Sequence, residues 1–314
     1  MSTNTKAFIG IDAGTTGCTV MIFDEKGNAL GHGYKEYPSV SPYAGWGEQS
    51  LEKVWDGICV ASKQATSQAN LPNEAYVSVG FSSQRGTLCL LNKDKKPLQD
   101  SILWYCTRAR DYPEIFGQHI TPEEYQEHTG MQLSPLWVAA KIAWLRDNKP
   151  DTFEKTAWFA NGQEYFLYLL GADRWETDPA SLTLNGMMDI RKLDWSDRVL
   201  EMCGISRDRV PPVGPPSGMV GKVSKQASEA TGIPEGVILC RGAGDQQCAA
   251  IGAGVIRQGM AEFTVGTAGV MVAHLDSVDR IKGKNLWWGG HGVPNAWDIE
   301  GGAFCLGASL KWWR

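Results

Sequence analysis

No stretch of the chain approaches the roughly 18 consecutive apolar residues that mark a membrane-spanning helix, which argues against a membrane partner. The opening Met1-Ser2-Thr3-Asn4-Thr5-Lys6 runs straight into a short apolar strand and lacks the h-region and cleavage pattern of a secretory leader. The eight cysteines are scattered without a Cys-x-x-Cys pair, mostly inside apolar stretches, so neither a disulfide framework nor a zinc site is expected. The five histidines (His32, His119, His128, His274 and His291) lack metal-ligand spacing and read as structural or surface residues. Blocks of one charge sign are also missing: 30 basic and 35 acidic residues leave a formal charge of -5, with no electrostatic footprint for nucleic acid. These absences point to a reduced, cytoplasmic protein with small-molecule partners.

Three familiar nucleotide and hydrolase signatures are missing too. No Gly-x-x-x-x-Gly-Lys-Ser/Thr is present, so a P-loop is excluded, and no Gly-x-Gly-x-x-Gly opens a helix after a strand. No Gly-x-Ser-x-Gly elbow presents a nucleophilic serine.

What is present is an ordinary globular composition, 43% hydrophobic and 21% charged, which supplies a sizeable core. At 314 residues the chain is long for one domain, so two lobes and a cleft between them are expected. Phe8–Asp12 and Thr19–Phe23 read as strands, with Asp24-Glu25-Lys26-Gly27-Asn28 reversing the chain into a meander. Ser50 caps a helix whose Leu51, Val54, Trp55, Ile58 and Ala61 face a core. Tyr76–Phe81 is a further strand that delivers Ser82-Ser83-Gln84-Arg85 to the carboxyl edge of a sheet, where open α/β sheets place ligands. The segment from about Thr121 to Asp151 reads as helical, and Pro211–Gly218 as a stiff connector. Val237–Cys240 is a buried strand leading to Asp245 at a strand-to-helix turn.

Two turns share Gly-Thr-x-Gly, one within Asp12–Gly17 and one within Thr264–Gly269. Glycine lets backbone N–H groups approach an anion and threonine adds a hydroxyl, so such turns suit phosphate, although they also occur in hairpins that bind nothing. Two of them facing each other across a cleft would hold a polyphosphate from both sides. Asp12 beside the first turn is of the type that holds Mg²⁺ together with phosphate oxygens, or that caps a turn. Asp245 is either a helix N-cap or a positioned carboxylate kept ionised by backbone N–H groups.

Five ordered blocks carry a resemblance to a known family: Ile11–Thr16, Ser83-Gln84-Arg85, Leu103–Arg108, Gly244-Asp245-Gln246-Gln247 and Gly266-Thr267. They occur in the order and approximate spacing of the FGGY carbohydrate kinases, glycerol kinase-like and xylulose kinase-like, over essentially the whole chain. Leu184, Asp189 and Trp195 also resemble a family segment, as do Lys141, Trp144 and Asn148. The resemblance implies an α/β fold of the actin-like ATPase (ribonuclease H-like) bilobal type and ATP-dependent phosphorylation of a sugar or polyol. It implies Asp245 as catalytic base, with Gln84, Arg85, Trp104, Asp245 and Gln246 binding the acceptor. Gly14, Thr15, Thr16, Gly266, Thr267, Gly307 and Lys311 would contact ATP, and Asp12 would hold Mg²⁺. Competing classes are an actin-like nucleotide switch or ATPase, which would not need the Gln84, Arg85 and Trp104 set, and a non-catalytic sugar-binding fragment.

The chain departs from the glycerol-kinase pattern at three positions. Gly86 stands where those kinases carry Glu, Leu136 stands in place of a Tyr after Pro135, and Val138 replaces a small polar residue or proline. Loss of two groups that would match hydroxyls changes which acceptor is taken and argues against glycerol. Gly301–Arg314 resembles the start of a second-lobe helix, with Leu306, Leu310 and Trp313 as an apolar stripe and no cap following. The expectation is therefore an N-terminal lobe over residues 1–252 and the start of a C-terminal lobe over residues 253–314, the second lobe incomplete. A homo-oligomer is allowed by the sequence and not specified by it.

Overall fold

The computed structural model describes residues 5–265, 269–280, 286–303 and the single positions Leu306, Ser309 and Trp313. Its centre is a six-stranded sheet. Strands β1 (Ala7–Ala13), β2 (Gly17–Asp24) and β3 (Ala29–Glu36) form the expected antiparallel meander. The reversal between β2 and β3 is held by the Asp24 carboxylate, which accepts from the amides of Lys26 and Asn28 at 2.8 and 2.9 Å. Strand β4 (Tyr76–Ser83) joins β1 in parallel, β6 (Ile238–Gly244) joins β4 in parallel, and β5 (Met219–Lys222) closes that edge antiparallel.

Helix α1 (Leu51–Ala69) starts where Ser50 accepts from the Lys53 amide at 3.3 Å, and it lies against β2 and β3. The approach is so close that a Cβ on Gly33 would stand 1.9 Å from the Ala61 carbonyl oxygen, so that position of β3 admits only glycine. Alternate residues of the sheet (Ile9, Ile11, Val20, Ile22, Val79, Phe81, Leu239) meet Val54, Ile58 and Ala61 of α1 in one continuous core.

A second core is built around a helical region. The segment expected to be helical from Thr121 to Asp151 is broken. Helix α2 (Pro122–Thr129) ends at Gly130 in the left-handed conformation (φ 79°), and α3 (Val138–Asn148) begins only after Trp137. A Cβ on Gly130 would also meet the Trp288 carbonyl oxygen at 2.2 Å, so tertiary packing as well as the turn demands glycine. Helix α3 is buried on nearly every side, its Ile142 and Leu145 sharing one apolar cluster with Leu88, Ile102, Trp195 and Leu200. Helices α4 (Gly162–Leu170) and α5 (Asp245–Gly252) complete the elements that matter for the site.

A four-stranded antiparallel sheet follows, ordered β7 (Ala261–Val265), β8 (Gly269–Leu275), β10 (Trp297–Ala303) and β9 (Trp287–Gly290). His274 and His291, expected to be surface or plain structural residues, are buried here, their rings 4.7 Å apart. Among the described residues no helix is long and apolar enough to cross a membrane.

Candidate active site

The parallel strands β1, β4 and β6 end side by side, which brings Asp12, Ser82 to Arg85, and Asp245 to one sheet edge. The turn after β1 is wired inward through its carbonyls. Gly14 O accepts from the Tyr37 hydroxyl (2.8 Å), Thr15 O from Gln49 Nε2 (2.9 Å) and Thr16 O from the Tyr37 amide (3.1 Å). The amides of Thr15 and Thr16 donate to nothing among the described residues, and Thr16 is exposed. An arrangement with carbonyls turned in and amides left open suits an anion. The Thr15 hydroxyl is already engaged: it donates to Gln84 Oε1 at 2.9 Å and accepts from Trp104 Nε1 at 3.0 Å.

Beside this turn lies a cavity of about 190 Å³ lined by all five expected acceptor residues, Gln84, Arg85, Trp104, Asp245 and Gln246. The Gln84 amide accepts from Thr15 and donates to Gln49 Oε1 at 3.0 Å, so it orders the two loops. Arg85 is buried and grips Glu300 of β10 with Nη2, at 2.7 Å from Oε1 and 3.1 Å from Oε2. Its Nε stands 3.8 Å from Asp245 Oδ1, too far for a hydrogen bond, and Nε and Nη1 have no hydrogen-bond partner. Gln246 Oε1 is buried without a partner as well.

Asp245 is the first residue of α5 and does not act as its N-cap: Gly244 holds that place with no side-chain cap bond. The expectation that backbone N–H groups would keep this carboxylate ionised is only partly met. It accepts from one amide, that of Gln246 at 2.9 Å. Desolvation outweighs this bond and the Arg85 charge, and with Asp12 and Glu300 adding like charge the carboxyl is pushed up to about 6.

Several contributors escaped the sequence reading. Lys141, named from the sequence as part of a family segment but without a role, sends its ammonium to the carbonyls of Leu103 (2.9 Å), Gly86 (3.1 Å) and Trp104 (3.1 Å), tying these loops to α3. Burial pushes it down to about 7, with the neighbouring Arg108 charge acting in the same direction. Glu300 and Asp298 point to the same side of β10, where Gln247 Nε2 donates to both, at 2.7 Å for Asp298. Desolvation and the neighbouring Glu300 raise Asp298 well above the usual carboxylate range. Two carboxylates two residues apart in an otherwise apolar strand, Trp297-Asp298-Ile299-Glu300, were the available signal. Gly266, Thr267, Gly307 and Lys311 lie outside the described residues, as does Cys305.

Asp12 meets the requirements for a divalent cation. Its carboxylate is partly buried and raised by desolvation, one oxygen accepts from Ser82 at 2.7 Å, and among the described residues no cationic side chain pairs with it. No group of three or more His, Cys, Asp or Glu residues placed to hold a metal ion exists among the described residues, so a cation at Asp12 would take most of its ligands from phosphate and water.

A family model described as the FGGY family of carbohydrate kinases, N-terminal domain, matches residues 7–252. A glycerol kinase from Thermococcus onnurineus is 30% identical over 313 residues, covering 98% of this chain and 62% of its own length. A xylulose kinase from Bacillus subtilis is 28% identical with the same coverages. The crystal structure of a xylulose kinase from Rhodospirillum rubrum superposes with a TM-score of 0.91 at 22% identity, over 98% of this chain and 62% of that one, a likeness of fold. The chain thus spans about 62% of the length of the curated relatives it matches.

Proposed function

The chain belongs to the FGGY family of carbohydrate kinases, and from that premise we propose that it supplies the acceptor site and catalytic base of an ATP-dependent kinase acting on a sugar or polyol hydroxyl. Residues 1–252 form the first lobe in this reading and residues 253–314 begin the second. The observation that carries it is the situation of Asp245: at the mouth of an acceptor-sized cavity, beside Arg85, with a carboxyl that titrates close to neutrality.

Asp245 takes the acceptor proton as the alcohol oxygen bonds to the γ-phosphorus and the bond to the β-phosphate oxygen opens, releasing ADP. A base of pKa about 6 is ionised at neutral pH and still basic enough to receive that proton. Arg85, through Nε and Nη1, orients the acceptor oxygens, and Trp104 holds the carbon skeleton. The open amides of Thr15 and Thr16, with the Thr16 hydroxyl, receive phosphate oxygens, whereas the Gly14 amide, expected to join them, is spent on Gly17 O at 3.1 Å. Gly266, Thr267, Gly307 and Lys311 complete the nucleotide site by resemblance alone. Asp12 would hold Mg²⁺, which when bound neutralises phosphate charge. Most of the acceleration then comes from alignment and charge neutralisation, as suits a loose phosphoryl-transfer transition state. Acting on ATP and a small sugar or polyol in the cytoplasm belongs to the same proposal.

The test is an ATP-coupled assay across a polyol and ketose panel. Asp245→Asn is expected to lower turnover by about 10²- to 10⁴-fold while acceptor binding persists. Turnover undiminished in that variant removes Asp245 from its role.

A further inference from the structure

We infer that the acceptor is a small alcohol hydroxylated at one end only, with a methyl or other reduced carbon at the end remote from Asp245. The inference rests on the kinase reading for which end reacts, and it deepens that reading by naming the acceptor class. At about 190 Å³ the cavity slightly exceeds the roughly 150 Å³ that encloses a benzene-sized molecule, which sets the acceptor at about six to eight non-hydrogen atoms.

The polar atoms available to such a molecule are gathered on one side. Arg85 Nε and Nη1 and Gln246 Oε1 are buried and unpartnered, and the Asp245 carboxylate lies next to them. Two donors, one acceptor and the base match the hydroxyls of two or three adjacent carbons.

The apolar wall of the cavity includes Trp104, Leu136, Leu184, Val270 and Trp287. Its indole N–H groups are directed elsewhere, Trp104 to Thr15 Oγ1 at 3.0 Å and Trp287 to Gln132 Oε1 at 3.2 Å. The carbonyls of Gly86 and Trp104 accept from Lys141, and the Gln84 amide accepts from Thr15 and gives one of its two protons to Gln49. A hydroxyl pushed against the apolar members of this wall loses its water hydrogen bonds and finds no replacement among them. The one-sidedness is built into the backbone. Gly86 sits at φ 67°, where a side chain is strained, and a Cβ there would stand 3.2 Å from Leu184 Cβ and 3.4 Å from Trp104 Cβ. No polar side chain can enter the wall from that position without displacing its apolar members.

Matched acceptor pairs that differ by one terminal hydroxyl test this on the full chain of the native protein: butane-1,2,3-triol against erythritol, and 1,3-dihydroxybutan-2-one against erythrulose. The deoxy member of each pair is expected to show a kcat/KM about 10- to 100-fold higher, the range over which an apolar pocket discriminates. Leu136→Gln, and independently the near-isosteric Val270→Thr, should shrink or reverse that preference. Calorimetry on the same pairs gives the same ordering in Kd. Equal or inverted preference, in turnover or in binding, overturns the inference and leaves the kinase reading intact. Deoxy preference in binding with no phosphorylation of any member supports the inference and counts against the kinase reading.

Discussion

The two sheets meet at one cavity yet are stabilised in opposite ways. The six-stranded sheet has a complete apolar core of its own, with α1 laid so closely on β3 that glycine is required beneath it. The four-stranded sheet has almost none: Ala250, Val255 and Val272 are its fully buried apolar cluster among the described residues. Phe263 and Val265 of β7 are 58% and 66% exposed. It is attached instead by Trp287, Trp288 and Trp297, which pack on the helical core, and by the polar link from Arg85 to Glu300. An element without its own core is held by its partner, and here the holding contacts are also site contacts. The six-stranded sheet thus stands on its own core, while the second sheet is joined to Arg85 through one buried ion pair.

That contrast can be broken most forcefully from the helical core beside the cavity. Lys141→Met leaves three loop carbonyls without a donor, and about 3 kcal/mol or more of stability should be lost, measurable by urea unfolding. A stability unchanged by that substitution would mean the clamp is ornamental.

From the second-sheet side, Glu300→Gln should act on chemistry. Loosening Arg85 is expected to lower kcat/KM by about 10²-fold. The pH profile separates this from a packing defect. Asp245 must be ionised to act, so activity in the parent rises with pH through about 6. Removing the Glu300 charge and freeing Arg85 both favour the ionised carboxylate, so the acid limb should move to lower pH in the variant. An unmoved limb would confine Glu300 to packing.

A smaller effect is expected at Asp298. Its carboxyl is raised in the folded state, so its contribution to stability is complete below the ordinary carboxylate pKa and is lost as pH climbs through the folded value. Asp298→Asn should flatten the fall of Tm with pH in that interval, and thermal melts across pH decide the point. The smallest effect belongs to the exposed edge. Phe263→Ser should change stability by no more than about 0.5 kcal/mol, and a large loss by denaturant titration would reveal packing against β7 that the exposure denies.

Much of the molecule was legible in advance because its signals are local. The Asp24 reversal, the Ser50 cap and the arrival of Gln84, Arg85 and Asp245 at strand ends are properties of short segments, and short segments are what periodicity and turn chemistry report. The break between α2 and α3 was missed because apolar spacing ran on past Gly130, whose glycine answers to Trp288, 158 positions away. Buried charges were missed for a related reason. Lys141 and Glu300 look like surface residues until their partners, more than 30 and 200 positions distant, are brought to them.

By itself, then, the sequence determined the family, the meander and helix order, and the set of residues that could surround an acceptor, since each follows from neighbours along the chain. Only the tertiary structure decided which of their polar atoms are spent on one another and which stay open to a ligand. Hydrogen-bond capacity is allotted in space: Gln84 is tied to Thr15 and Gln49, Arg85 keeps Nε and Nη1 open, and neither outcome is encoded within reach of the residue concerned.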